Sequence, residues 1–314
     1  VNSMSTSHVR SGPARSRPVG QRRRIRRTAA GFVAPFFVLF TVFYLVPIGY
    51  AVWQSFQKIE RTSGIYGPAH TKFAGLSQYT RIVSGQEFWG GVERMGLFGL
   101  VQVPVMVAVA LGLALLLDSG LPRGMKFFRG AYFVPFAVPA VIGALMWGYL
   151  YSPGVSPVLS GLAQAGMHPE PLSGGLILWS IANVVTWTYT GYNMLIIYSS
   201  LKSISPEIYE AARMDGAGTL RIAWSLKIPL VRPSIVMTTV FSIIGTLQLY
   251  AEPTMLKIIS TAIASDYTPN MQAFAAAAGN DYSGAAAISV LLAVVTFAMS
   301  FGFLRFTARR QERT

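Results

Sequence analysis

Six stretches of the chain contain no Asp, Glu, Lys or Arg: residues 28–57, 95–117, 130–169, 171–201, 233–251 and 282–304. A helix needs about 20 apolar residues to cross the hydrocarbon core of a bilayer, and each stretch reaches or nearly reaches that length. A charge at mid-helix costs about 2.5–3.5 kcal/mol on insertion, so runs this clean have a physical cause. The pattern predicts six membrane helices near 30–55, 94–117, 130–150, 175–198, 233–251 and 284–304. The third stretch is long enough for two spans. Its second half, however, holds Pro153, Gly154, Pro157, Gly161, Gly166 and Pro169. These break helices, and one span followed by an external loop is expected.

The charges set the orientation. Twenty of the 26 Lys and Arg residues lie in the N-terminal tail, the loops after the second and fourth spans, and the C-terminal tail. By the positive-inside rule, both termini are expected in the cytoplasm. Residues 1–27, eight of them arginine among Ser, Pro and Gly, are expected to form a disordered basic tail. The arginines of 22–27 read as a topology anchor touching anionic lipid rather than as an RNA contact. Residues 28–314 then make one six-helix transmembrane domain. The first span is too long for a signal-peptide core and lacks a small-residue cleavage site, so it reads as a signal anchor. Val1 reads as a literally translated non-ATG start, with Met4 a second candidate.

Composition removes several classes of function. Of 314 residues, 52% are hydrophobic and 12% charged, about half the charged share of a soluble globular chain. The net charge of +14 therefore points to membrane topology, not to nucleic acid. The absence of cysteine excludes disulfides, thiolate metal sites and cysteine nucleophiles. His8, His70 and His168 are too far apart for a zinc pattern. No nucleophile sits with a base, as a membrane-embedded enzyme would require. Ion-coupled secondary transport, the competing transport mechanism, needs an intramembrane acid or histidine. The six spans offer only Glu252, at an edge.

The 199–232 loop carries the most specific information. Ser205 is a suitable N-cap, Pro206 suits the first helical position, and Glu207 and Glu210 complement the positive helix end. That helix should stop near Met214 or Asp215, because Gly216 can take the left-handed conformation that closes a helix. Thr219 can cap a second helix through Leu226, expected to end before Pro229. Taken alone, the loop could also be an interfacial amphipathic helix.

Glu210-Ala211-Ala212, Asp215-Gly216-Ala217 and Leu226-Lys227-Ile228-Pro229 match the EAA signature, and the chain resembles the membrane subunits of ATP-binding-cassette (ABC) importers. Leu226 and Ile228 exchange the usual Ile and Leu. Residues 75–79, Phe88-Trp89, the Arg129…Pro135…Trp147 stretch, Ser205-Pro206-Glu207 and residues 282–290 are similar to the maltose-type sugar-permease branch. There are two departures. Glu93-Arg94-Met95-Gly96 replaces an Asn-Thr pair, and residues 263–270 replace a Gly-Gly-Pro element.

The resemblance implies an all-α, type I ABC importer transmembrane fold in the bacterial inner membrane, with its core at about residues 92–306 and a coupling loop at 199–232. It implies four kinds of partner: a second homologous permease, an ATPase dimer, an extracytoplasmic solute-binding protein and membrane lipid. Glu210 would be the charged contact to the ATPase, and Asp215 a further residue of the coupling set. Ala211 and Ala212 would be the close-packing surface, Gly216 the bend, and Pro229 the return into the fifth span. ATP and Mg would be bound by the partner, leaving this chain without a cofactor. Consistently, it has no Gly-x-x-x-x-Gly-Lys loop and not even a Gly-Lys pair. The implied cargo is a disaccharide or oligosaccharide, with glycerol phosphate or another polyol as the alternative.

Two spans carry polar faces. Asn183, Thr186, Thr190 and Asn193 share one face of the fourth span by helical spacing. Thr239, Ser242 and Thr246 do so on the fifth, followed by Gln248, Tyr250 and Glu252. Such groups avoid lipid. Two readings stand: a sugar path, on which Trp187, Tyr189 or Tyr192 could stack, or helix–helix hydrogen bonding. Pro35, Pro47, Pro135 and Pro139 are expected to kink their spans.

Overall fold

The computed structural model describes residues 19–65, 69–119 and 124–311. Contacts divide the chain into one unit ending at Ala51 and a second starting at Val52. The first holds α1 (Val19–Phe40), a π turn (Thr41–Leu45) and the start of α2 (Val46–Ser55). Phe32, Phe36, Phe43 and Tyr50 are all exposed in it, as befits a span whose surroundings are lipid or another chain. Helix α1 starts at Val19, inside the segment expected to be disordered. Arg and Gln are good helix formers, so a helix nucleated in the span extends backward through Gln21–Arg27 at little cost. Residues 1–18 of the expected tail lie outside the described residues.

The second unit opens with an antiparallel hairpin, β1 (Gln57–Ile65) and β2 (Ala69–Phe73), with Gln57 opposite Phe73. This hairpin is the departure from an all-α chain. Helices α3 (Ser77–Ser84), α4 (Gln86–Asp118), α5 (Met125–Ala137), α6 (Ala140–Leu150), α7 (Pro157–Gln164) and α8 (Ile177–Lys202) follow. Next come α9 (Pro206–Met214), α10 (Thr219–Ile222), a second π turn (Ala223–Lys227) and α11 (Ile228–Leu247). Last are α12 (Ala251–Leu256), α13 (Pro269–Ala278) and α14 (Tyr282–Gln311).

Among the described residues, four helical segments are long and apolar enough to cross a membrane: Ala30–Ser55, Gln86–Asp118, Thr219–Leu256 and Tyr282–Arg309. The pair α5 and α6 makes a fifth if it is one span, although it bends by 96°. That bend is far more than the expected kink. Val138 is extended (ψ 128°) because the residue before a proline is pushed out of helical angles, and Pro139 then caps α6. Helix α8 has 26 residues, but its Asn, Thr, Trp and Tyr side chains keep it outside the apolar class.

Helices α9 and α10 of the 199–232 loop form an elbow, and its second helix does not end before Pro229. Helix α10 continues through its π turn into α11, with Pro229 in the first turn. Proline offers no N–H to the carbonyl four residues back and its ring crowds that carbonyl. Here that residue is Ser225, the middle of the wider π turn, which absorbs the conflict. The first π turn stands in the same relation to Pro47, with Phe43 at its middle.

Helix α8 is the axis of the second unit, packed on α4, α5, α6, α11 and α12. The contact with α5 depends on Gly191. A Cβ there would collide with the backbone of Tyr132 and Phe133, so only glycine lets the two helices approach this closely. One core cluster (Met95, Phe98, Ile181, Leu247, Leu256) lies where α4 and α8 meet α11 and α12. Another (Ala110, Ala114, Met194, Ile197, Leu201, Val231) joins the opposite ends of α4 and α8 to the start of α11.

Candidate functional site

A cavity of about 340 Å³ opens between α8 and the α11–α12 junction. Helix α8 contributes Tyr189, Tyr192 and Asn193, and α11 contributes Phe241, Ser242 and Thr246. The non-helical bend at Gln248–Tyr250 and the start of α12 contribute Gln248, Tyr250 and Glu252, while Met106 and Ala140 close the sides. Asn193 Nδ2 donates to Ser242 Oγ at 3.4 Å across the gap. Glu252 is 3% exposed and has no ion-pair partner among the described residues. No Lys, Arg or His lines the cavity. Its polar groups are therefore amides, hydroxyls and one carboxyl, set among aromatic rings and the apolar side chains of Met106, Val185 and Leu249.

Of the polar residues singled out along the spans, Asn193, Ser242, Thr246, Gln248, Tyr250 and Glu252 meet in this cavity. Asn183, Thr186, Thr190 and Thr239 do not line it. Asn183 donates to the Tyr151 hydroxyl at 2.7 Å, and Thr186 accepts from Gln102 at 3.3 Å. The Thr190 hydroxyl turns back to the Thr186 carbonyl at 2.6 Å. Trp187 packs edge-on against Trp147, with centroids 6.0 Å apart. The lining face of α8 is rotated from the Asn183–Thr186–Thr190 stripe onto Val185, Tyr189 and Tyr192. Spacing alone could not choose between these two faces. Phe136 stacks on Tyr192 at 4.7 Å and meets Tyr189 edge-on at 5.9 Å, which holds both tyrosines in place.

The coupling-loop residues form a second site at the far ends of the spans. Helix α9 ends as the sequence requires. Gly216 has φ +77°, its N–H donates to the Arg213 carbonyl at 3.0 Å, and Ala217 N–H donates to the Ala212 carbonyl at 2.9 Å. This pair of bonds is the Schellman closure, which needs a residue free to be left-handed. Ser205 occupies the N-cap position without a side-chain hydrogen bond, and Gly218 rather than Thr219 precedes α10. Glu210, Ala211, Asp215, Gly216 and Pro229 are exposed and Ala212 is half-buried. Large apolar side chains are exposed beside them: Ile208, Met214 at 88%, Leu220 and Trp224. Exposed large apolar side chains gathered in one short segment are typical of surfaces that bind another molecule. Tyr209 faces inward, and burial, reinforced by the Asp118 charge, raises its hydroxyl above the ordinary tyrosine value.

Residues 28–312 match the family described as binding-protein-dependent transport system inner membrane components. The chain belongs to this family. It is a multi-pass permease component of an inner-membrane transport system. Relatives include the lactose transport system permease protein LacF of Rhizobium radiobacter, 34% identical over 70% of this chain and 73% of LacF. The sn-glycerol-3-phosphate transport system permease protein UgpA of Yersinia pseudotuberculosis is 27% identical over 88% of this chain and 93% of UgpA. Among solved structures, a bacterial ABC transporter that imports alginate superimposes with a TM-score of 0.73 at 17% identity. The match covers 92% of this chain and 99% of that one, and it shows the fold. The same kind of transporter, bound to an alginate pentasaccharide-loaded periplasmic protein, superimposes with a TM-score of 0.69.

The two places where the permease departs from the sugar-permease pattern touch each other. Arg94 donates to the Tyr267 carbonyl at 2.5 Å and lies 4.4 Å over the Tyr267 ring. The next residue, Thr268, donates to the Leu249 carbonyl at 2.9 Å, and Asn270 donates to the Gln248 carbonyl at 2.9 Å. Those carbonyls lie in the bend of the cavity wall, where helical bonding is interrupted. Residues 263–270 and Arg94 therefore hold the bend that presents Gln248 and Tyr250. Sequence reasoning registered both departures but had no signal that they were partners.

Proposed function

We propose that this permease moves an uncharged disaccharide or oligosaccharide through the α8–α11–α12 cavity, driven by a separate ATPase that docks on the α9–α10 elbow. The observation carrying the cargo class is the lining itself. Amides, hydroxyls and tyrosine rings match a polyhydroxylated ring, and a lining without Lys, Arg or His offers no counter-charge to an anionic cargo such as glycerol phosphate. The 34% identity to a lactose transport system permease supports this class.

In this reading α8 is the fourth of six spans, polar because the other helices enclose it rather than lipid. Both termini and the elbow lie in the cytoplasm, where the basic loops place them. Glu210 and Asp215 meet basic groups on the ATPase, Ala211 and Ala212 allow close approach, and the apolar side chains of the elbow fill the docking cleft. Gly216 sets the angle between α9 and α10, and Pro229 joins α10 to α11 without a break. ATP and Mg are held by the ATPase dimer, a second permease completes the pore, and an external binding protein delivers the solute.

The test is uptake by cells carrying the complete transport system, measured with labelled lactose, maltose and glycerol 3-phosphate. Saccharide uptake that requires the ATPase is expected. Uptake of glycerol 3-phosphate in preference to both sugars would overturn the cargo class.

A further inference from the structure

Asp118 is the last residue of α4, and its side chain is only 5% exposed. Two ammonium groups converge on its carboxylate: Lys202 Nζ at 2.8 Å, from the end of α8, and Lys227 Nζ at 2.5 Å, from the π turn leading into α11. Three spans are thus joined at one side chain. Lys227, 12% exposed, also lies 5.0 Å from the centroid of the Tyr209 ring in α9. A continuous chain of contacts runs from α4 through Asp118, Lys227 and Tyr209 into the elbow.

Local preference does not explain this acid. A carboxylate at a helix C-terminus opposes the helix dipole, so Asp118 is held there by its partners. Its burial decides what the contact is worth. Exposed ion pairs contribute little, whereas removing one partner from a buried pair leaves an uncompensated charge. The Asp118–Lys227 contact therefore resists separation, while Lys202, half exposed, adds a looser tie.

We propose that Asp118 is a positioning residue that makes the elbow and the adjoining ends of α4, α8 and α11 move as one body. A displacement delivered to α9 then reaches α8 and α11, which carry the cavity walls. The proposal rests on the reading that the elbow receives the ATPase stroke.

The chain has no cysteine, so a labelled pair can be introduced cleanly. Spin labels at Met214→Cys on the elbow and Leu116→Cys on α4 report the distance across the clamp in the complex with its second permease, ATPase and binding protein. The expected result is one narrow distance, the same without nucleotide and with ATP trapped. Asp118→Asn is expected to broaden that distance and raise the ATP hydrolysed per solute moved several-fold, while the ATPase still co-purifies. Asp118→Glu should restore both. Lys227→Gln serves if Asp118→Asn does not assemble, and the double variant should be no worse than either single one. A narrow distance and a native ATP-to-solute ratio in Asp118→Asn or Lys227→Gln would overturn the clamp. Failure of the ATPase to bind the native chain would instead overturn the docking reading.

Discussion

Three single positions do work that no neighbour can share. Gly216 sits at φ +77°, where a side chain is strained and where proline, fixed near −65°, cannot sit at all. Gly216→Pro is expected to leave membrane insertion intact while abolishing both ATPase co-purification and uptake. Gly191 is needed for space rather than for angle. Gly191→Ala should force α5 off α8 at a cost of about 1–3 kcal/mol, seen as a lowered thermal midpoint in detergent. Glu252 is a buried carboxyl in the cavity wall. A hydrogen bond is worth about 0.5–1.5 kcal/mol net, so Glu252→Ala should raise the apparent KM for saccharide uptake roughly two- to tenfold. Gly216 was legible in the sequence because its requirement is local. Gly191 was not, because the backbone it admits lies about sixty residues away along the chain.

At the scale of elements, the charge-free runs located the apolar helices because desolvating a charge costs the same wherever a span occurs. Breaks within spans were less legible. Pro47, Pro135, Pro139 and Pro229 look alike in sequence, yet Pro139 starts a 96° turn while Pro47 and Pro229 are accommodated by π turns. The difference is whether the residue before the proline leaves helical angles, as Val138 does, or a π turn makes room for the ring, which the hydropathy pattern does not record. The polar face of α8 shows the same limit. Asn183, Thr186 and Thr190 satisfy hydrogen bonds among helices, and the cavity lies one face over, at Tyr189 and Tyr192. The Arg94–Tyr267 contact carries a prediction at this scale. Arg94→Ala should speed amide exchange at residues 248–250, and Tyr267→Ala should do so less, because it removes the ring contact but keeps the carbonyl to which Arg94 donates. Combining them should add little to Arg94→Ala, which already removes both contacts.

For the molecule as a whole, the two sites lie on the same helices. The cavity takes its walls from α8 and α11, and the elbow joins the ends of those helices through Lys202 and Lys227 at Asp118. On the proposed docking, these contacts are the route by which an external ATPase reshapes the cavity of a chain with no phosphate-cradling loop of its own. The most direct measurement is solute uptake by proteoliposomes holding the purified permease pair, with and without the ATPase and binding protein. Uptake only with both partners and ATP, lost in Gly216→Pro, is the predicted result. Accumulation of solute by the permease alone, without an ATPase, would contradict it.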